Sequence, residues 1–265
     1  MTRRRARRRQ DALGAALIAV AFAALAAMAA AGFLLRPPPT DPDTLCRTDR
    51  GVAQHTIVLV DATDALEPRH RRRLRAVVEQ ERARLAPYGR LTIARLRPAR
   101  PSDPEILFSL CTPRAGEDAN PLFENPQKMQ AHWDAAFGAA MTRALRRAGA
   151  SSAAQASPIT AGLRAIAADV TFTADIQARR IVLVSDLLEF NPQGFSLYAD
   201  GVDFAAFAAS RDGAAGPPDL ENVDVRVVTL DRDDQAARQA RARAVFWAPY
   251  FDAASARSVE FDAAP

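Results

Sequence analysis

Histidine and cysteine are scarce in this chain, and their placement excludes more than their number does. The three histidines, His55, His70 and His132, lie far apart with no ligand spacing, which argues against a zinc site. Neither of the two cysteines, Cys46 and Cys111, has a neighbouring histidine that would suggest a nucleophile. No glycine-rich phosphate loop and no G-x-S-x-G elbow occurs. A phosphotransferase-type D-x-D is absent too, because the second acid after Asp61 is Asp64, three places on. No internal repeat breaks the pattern, and only one apolar run is long enough to span a bilayer.

The excess of basic charge is confined to one end. The formal charge of +4 and the pI near 9.6 suggest a nucleic-acid binder until the arginines are located. Arg3, Arg4, Arg5, Arg7, Arg8 and Arg9 sit within the first ten residues, and without those six the rest of the chain carries −2. The body is nearly neutral, so nucleic acid is not the expected partner.

After this tail, Ala12 to Leu35 contains no charge and is flanked by Asp11 and Arg36. A bilayer core is spanned by about 20 apolar residues in a helix, so the segment suffices with some tilt. Arginines on its N-terminal side place that end in the cytoplasm and the body across the membrane. A secretory signal has an apolar region of only ~7–15 residues, which favours an uncleaved anchor. The alternative is a cleaved signal, since "AMAAAG" offers small residues of the A-x-A kind. Either way the body is exported, and in an oxidising compartment Cys46 and Cys111 can form one disulfide. The alternative is two unpaired, partly buried thiols.

The remaining length, with 49% hydrophobic residues overall, suits one globular unit. Pro37, Pro38, Pro39 and Pro42 make a stiff spacer. The expected division is a cytoplasmic tail over 1–11, a transmembrane helix over 12–35, a Pro-rich linker over 36–54 and a domain over 55–262. Continuous aliphatic runs at Thr56–Val60 and in "RRIVLVSD" predict strands covered on both faces. Further strands are expected in "RLTIARLR", "EILFSLC" and "NVDVRVVTLD", while "SVEFDA" reads as an edge strand or a tail. Helical patterns run over Arg69–Leu85, about Lys128–Arg147, "SPITAGLRAIAADV" with Ser157 as N-cap and Pro158 at the first helical position, and "QAARQARARAVFWAPYFDAA". Alternating strands and helices predict a three-layer, doubly wound α/β domain with a mostly parallel sheet, preceded by one transmembrane helix. Trp133, Phe137 and Met141, and Trp247, Tyr250 and Phe251, read as core.

In such a sheet, ligands bind beyond the carboxyl ends of the strands, where Asp61 and Asp186 both fall. Three short stretches there resemble the von Willebrand factor type A (vWA) family over roughly residues 55–250. Asp61-Ala62-Thr63-Asp64-Ala65 matches the aspartate and first hydroxyl of its D-x-S/T-x-S loop. Ser157-Pro158-Ile159-Thr160-Ala161-Gly162-Leu163 has the spacing of its second loop, T-x-I-x-x-G-L. Ser185-Asp186-Leu187 is similar to its T-D-G.

The resemblance implies a metal-ion-dependent adhesion site formed by Asp61, Thr63, Ser157 and Asp186, with Mg²⁺ as the cation. Ala65 and Leu187 depart from the pattern by removing a hydroxyl ligand and a glycine, so the implied site is degenerate. Five arginines from Arg69 to Arg75 in the early turns of the next helix oppose a dication nearby. The expectation is therefore no resident cofactor, with Mg²⁺ at the degenerate site as the alternative. Asp64, Arg69, Arg71 and Arg72 are the candidates for contact with a partner, expected to be another protein of a bacterial envelope, and the membrane is met through residues 12–35. A Mg²⁺-dependent hydrolase using Asp61 and Asp186 as general acid and base is the competing function.

Overall fold

A computed structural model describes residues 2–34, 37–121, 123–150, 155–199 and 201–262. Met1, Leu35 and Arg36, at the limits of the expected tail, span and linker, lie outside the described residues. The chain divides into two units, Met1–Pro39 and Thr40–Pro265.

The first unit is one helix, α1 (Thr2–Leu34). It contains Leu13–Ala30, with a mean hydropathy of 2.4, which is long and apolar enough to cross a membrane. None of that stretch is buried within the protein. The helix is longer than expected, because the arginine-rich tail continues the same helical backbone.

The second unit is built on a six-stranded sheet in the order β3-β2-β1-β4-β5-β6. Its strands are β1 (Gln54–Val60), β2 (Arg90–Arg95), β3 (Glu105–Cys111), β4 (Ala178–Ser185), β5 (Val223–Thr229) and β6 (Ser258–Asp262). All neighbours pair in parallel except β2 and β3, which are antiparallel.

Alternation along the strands sorts their side chains between two cores. Ile57, Leu59, Ile181, Leu183, Val225 and Val227 pack on one face with α5 (Ile159–Ala167) and with Trp247, Tyr250 and Phe251. The last three belong to a C-terminal helical run: α7 (Ala236–Ala242), a π-helical turn (Arg243–Trp247) and α8 (Ala248–Ala253). Val58, Val60, Val182, Val184 and Val228 face α2 (Pro68–Arg84), α3 (Pro126–Trp133), a second π-helical turn (Asp134–Gly138) and α4 (Ala139–Ala148). This is the expected three-layer doubly wound α/β fold, with "SVEFDA" resolved as the edge strand β6. Phe137 and Met141 are buried as expected, while Trp133 is only half-buried, with its indole Nε1 donating to the buried Thr112 Oγ1 at 3.0 Å.

Two features were not legible beforehand. The stretch after β4 carries α6 (Phe204–Ala208) and buries Leu187, Leu188, Phe195, Leu197 and Phe207 against the first core. Of the expected Pro-rich linker over 36–54, the part from Thr40 on belongs to the folded domain. Asp41 Oδ1 accepts from Thr44 N at 2.7 Å and Oγ1 at 2.8 Å, and Cys111 N donates to Thr44 O at 2.9 Å. The physical reason is that Asp41 closes an Asx-type turn that extended backbone after Pro39 cannot make.

Cys46 and Cys111 form a disulfide with Cα atoms 4.8 Å apart and a sequence separation of 65. Chain entropy for a loop of that length gives a stabilisation on the order of 4 kcal/mol. Replacing both cysteines by serine is expected to lower the unfolding free energy measured in urea by a corresponding few kcal/mol. Mass spectrometry of the non-reduced protein checks the bond directly, and free thiols there would refute it.

Candidate functional site

The parallel strands β1, β4 and β5 end side by side, and the chain leaves each at a polar residue. Asp61 continues the ladder for one more bond, its N donating to Val184 O at 2.9 Å. Its carboxylate is buried and takes four hydrogen bonds. Oδ1 accepts from Thr63 N at 3.2 Å and Thr63 Oγ1 at 2.7 Å; Oδ2 accepts from Ser157 Oγ and Ser185 Oγ, both at 2.8 Å. A buried carboxylate is costly unless its lone pairs are satisfied, and here two oxygens with about four acceptor sites meet four donors.

That arrangement corrects the expected role of Ser157. It is not the N-cap of α5, which starts at Ile159 after Pro158, a residue with no capping side chain. Ser157 is bridged to Phe190 through both backbone groups, N to O at 2.8 Å and O to N at 3.0 Å. The bridge turns its hydroxyl toward Asp61. The helix terminus is satisfied instead by Glu189 from the loop after β4: Thr160 N donates to Oε2 at 2.9 Å and Thr160 Oγ1 lies 3.0 Å from Oε1. Burial pushes the Glu189 carboxyl up to about 8, with Asp61 adding to the rise; Thr160 and Arg164 oppose it.

Asp186 lies at the end of β4. Its Oδ1 accepts from Leu188 N at 3.0 Å, and its Oδ2 accepts from Arg232 Nη1 at 3.0 Å. The same nitrogen donates to Asp64 Oδ2 at 2.6 Å. Burial, then the charge of Asp61, raises the Asp186 carboxyl to about 6, while Leu188 N and Arg232 pull the other way. Arg232 follows β5 by three residues, and Gln239 on α7 fixes its backbone. Gln239 Oε1 accepts from Arg232 N at 3.0 Å, and its Nε2 donates to Asp186 O and Leu230 O at 2.9 Å each.

Leu187, at the position where the sequence resemblance implies a glycine, has a backbone that favours one. Its φ of 66° lies in the left-handed region, which costs a non-glycine residue about 1 kcal/mol or more. Complete burial of its side chain and a 2.8 Å bond from Trp247 Nε1 to its carbonyl oppose that cost.

Two cavities open at this edge, of 480 Å³ and 410 Å³, and both are lined by Thr63, Asp64, Asp186 and Arg232. The Asp64–Arg232–Asp186 bridge therefore belongs to both cavities. Three of the four partner candidates are already engaged within the chain. Asp64 binds Arg232; Arg69 pairs with Glu67 at 2.9 Å and Asp233 at 3.2 Å; and Arg71 donates to Leu66 O. Arg72 is exposed.

The residues implied as a metal set, Asp61, Thr63, Ser157 and Asp186, do gather at this edge, but they do not fit a bound divalent ion. Asp186 Oδ2 and Asp64 Oδ2 both face the positive Nη1 of Arg232, where a cation would have to approach them. Among the described residues, no group of three or more histidine, cysteine or acidic side chains is placed to hold a metal. Glu189, Arg232 and Gln239 were missed in the sequence, and Ser185, quoted in the third stretch, was given no role of its own. Ser185 was within reach, because it stands directly before Asp186 at a strand end. Arg232 had no signal beyond following the next buried strand.

No family model matches the sequence, and no curated protein matches it either. Among solved structures, the crystal structure of the SpRpn10 VWA domain is similar, with a TM-score of 0.36 at 11% identity, covering 80% of this chain and 88% of that one.

Proposed function

We propose that this chain is a single-pass, membrane-anchored vWA-like interaction module that binds an envelope protein through its strand-end edge and catalyses no reaction. The observation that carries this reading is the state of Asp61. A general base needs a free lone pair directed at a substrate proton, and all four acceptor positions of this buried carboxylate are taken by Thr63, Ser157 and Ser185. Anchoring is supported by the apolar Leu13–Ala30 stretch and by the arginines that precede it, which orient the body away from the cytoplasm. A disulfide between Cys46 and Cys111 suits that compartment.

One observation favours the hydrolase alternative: Asp186, raised to about 6, is in the range of a working general acid or base. Arg232 would have to withdraw before Asp186 could act. An alkaline phosphatase fused after Pro265 is expected to be active, and activity from a cytoplasmic-only reporter instead would end the anchored-and-exported reading. For the interaction, cross-linking in membranes followed by purification is expected to recover one protein from the wild type and much less of it from Asp233→Arg, which reverses charge at the rim of the larger cavity. Equal recovery from both would place the binding surface elsewhere.

A further inference from the structure

We propose that Arg232 is a built-in cation: its guanidinium stands in for the divalent ion that the sequence resemblance implies, and it makes the strand-end edge independent of metal. This inference concerns the charge balance of that edge and needs no partner, so it stands or falls separately from the interaction reading.

Three carboxylates meet at this edge, Asp61, Asp64 and Asp186, from the loops that follow β1 and β4. Like charges packed so closely repel unless a cation balances them. In a metal site a dication would do so. Here one nitrogen, Arg232 Nη1, bonds to Asp64 at 2.6 Å and Asp186 at 3.0 Å and so bridges the same two loops. A guanidinium carries its charge with directed N–H donors, so it can replace a bridging ion where the acceptors lie in its plane.

The placement is also rigid. Gln239 ties the Arg232 backbone to the carbonyl of Asp186, so the arginine and its main acceptor are fixed to one another at their base as well as at their tips. The departures from the family pattern fit this substitution. Ala65, at the position where the resemblance implies a hydroxyl ligand, lines the same cavity as Arg232 and offers no side-chain oxygen that a missing ion would leave unsatisfied. The hydroxyls of Thr63 and Ser157 direct their protons to Asp61, so they too are satisfied without metal. Arg69, which also borders the cavity, pairs with Glu67 and Asp233 instead of Asp64 and Asp186 and does not share the role.

Because Arg232 blocks the approach to Asp186 and Asp64, its removal should uncover a site for a hard cation. The experiment uses the full chain in detergent, with metal alone as the probe. Wild type is expected to melt at the same temperature in chelator and in about 10 mM Mg²⁺, a concentration above the roughly millimolar dissociation constants of weak oxygen sites. Arg232→Ala is expected to melt lower in chelator and to gain about 3–6 °C on adding Mg²⁺, the shift that about tenfold saturation gives a domain of this size. Adding Asp186→Asn to that variant should abolish the gain. If Arg232→Ala does not fold in chelator, Arg232→Gln provides the neutral, hydrogen-bonding replacement, and Mn²⁺ binding followed by its paramagnetic resonance reads the same site. A metal-induced rise in the wild type, or an Arg232→Gln protein that binds no more Mn²⁺ than the wild type, would overturn the proposal.

Discussion

Replacing Glu81 by alanine is expected to destabilise the domain by about 3–5 kcal/mol, the cost of removing one partner from a buried ion pair. Glu81 is wholly buried on α2. Its Oε1 accepts from Arg226 Nη1 at 2.8 Å, and its Oε2 lies 2.9 Å from Arg180 Nε. Arg226 is itself buried on β5 and continues to Asp262 on the edge strand, with bonds of 3.0 and 2.6 Å to the two carboxylate oxygens. Asp262 and Glu81 together hold the Arg226 guanidinium above its ordinary pKa against the opposing effect of burial. Arg180 reaches Glu260 at 3.5 Å, and Arg73 on α2 reaches Asp262 at 3.7 Å. One carboxylate thus joins a helix to β4 and β5, and through the arginines to β6.

Alanine at position 81 would take from Arg180 and Arg226 the one carboxylate they share and leave Glu260 and Asp262 to balance them. The expected fall in Tm is roughly 6–20 °C for a domain of this size, with the urea m-value unchanged. A loss under about 1 kcal/mol would mean that the network behaves as a solvated surface cluster. Replacing Glu81, Arg180 and Arg226 together by apolar residues of similar volume should cost less than Glu81→Ala alone, because the most buried charges are removed together and the carboxylates that remain, Asp262 and Glu260, both reach solvent.

This network also shows what the sequence could and could not disclose. The central strands were legible because a run such as Ile181 to Val184 has few other ways to be buried, and β3 was found at its observed limits, Glu105–Cys111. The edge strand β6 was ambiguous because Ser258 to Asp262 has little apolar content; what holds it is the bond from Arg226, more than thirty residues earlier, and Arg257 pairing with Asp224. The site divides in the same way. Asp61 and Asp186 were visible because each ends a buried strand. Arg232 and Gln239 were not, since an arginine in "LDRDD" and a glutamine in an alanine-rich helix look solvated until the fold brings them to Asp186. Ser157 was assigned the local role that its sequence neighbours favour. The bridge to Phe190, set by tertiary structure, gave it a different one.

Glu189 should make stability fall as the pH rises, and the size of that fall is the second large effect. In the unfolded chain a glutamate has its ordinary value of 4.5, whereas burial lifts it to about 8 in the fold. Between those values the folded state holds a proton that the unfolded state lacks, so unfolding releases it and higher pH favours unfolding. The contribution is complete below 4.5 and is lost as pH passes 8; at about 1.4 kcal/mol per pH unit it totals a few kcal/mol. Asp186, raised to about 6, has the same sign but is exhausted sooner. His55 has the opposite sign. Wholly buried, with its ring nitrogens 2.9 Å from Thr171 O and Thr92 Oγ1, it is depressed from 6.5 to about 4, so its contribution is present above 6.5 and lost toward pH 4. These effects offset one another in acid, which leaves the interval from about 6.5 to 8 to Glu189. Glu189→Gln tests this, because glutamine can accept from Thr160 N and donate to Thr160 Oγ1 much as the protonated acid does. Urea denaturation from pH 5 to 9 is expected to give similar stabilities for the two proteins near pH 5, a variant that gains steadily on the wild type up to about pH 8, and a constant difference above that. Parallel profiles would refute the assignment. The consequence for the strand-end edge follows from one bond further on: Phe190, next to Glu189, holds Ser157 in place, and Ser157 donates to Asp61. Ionising Glu189 should therefore loosen the loop that keeps the Asp61 carboxylate satisfied, and the protection factors of the Ser157 and Phe190 amides, taken relative to the base-catalysed intrinsic rate at each pH, should fall above pH 7 in the wild type but not in Glu189→Gln.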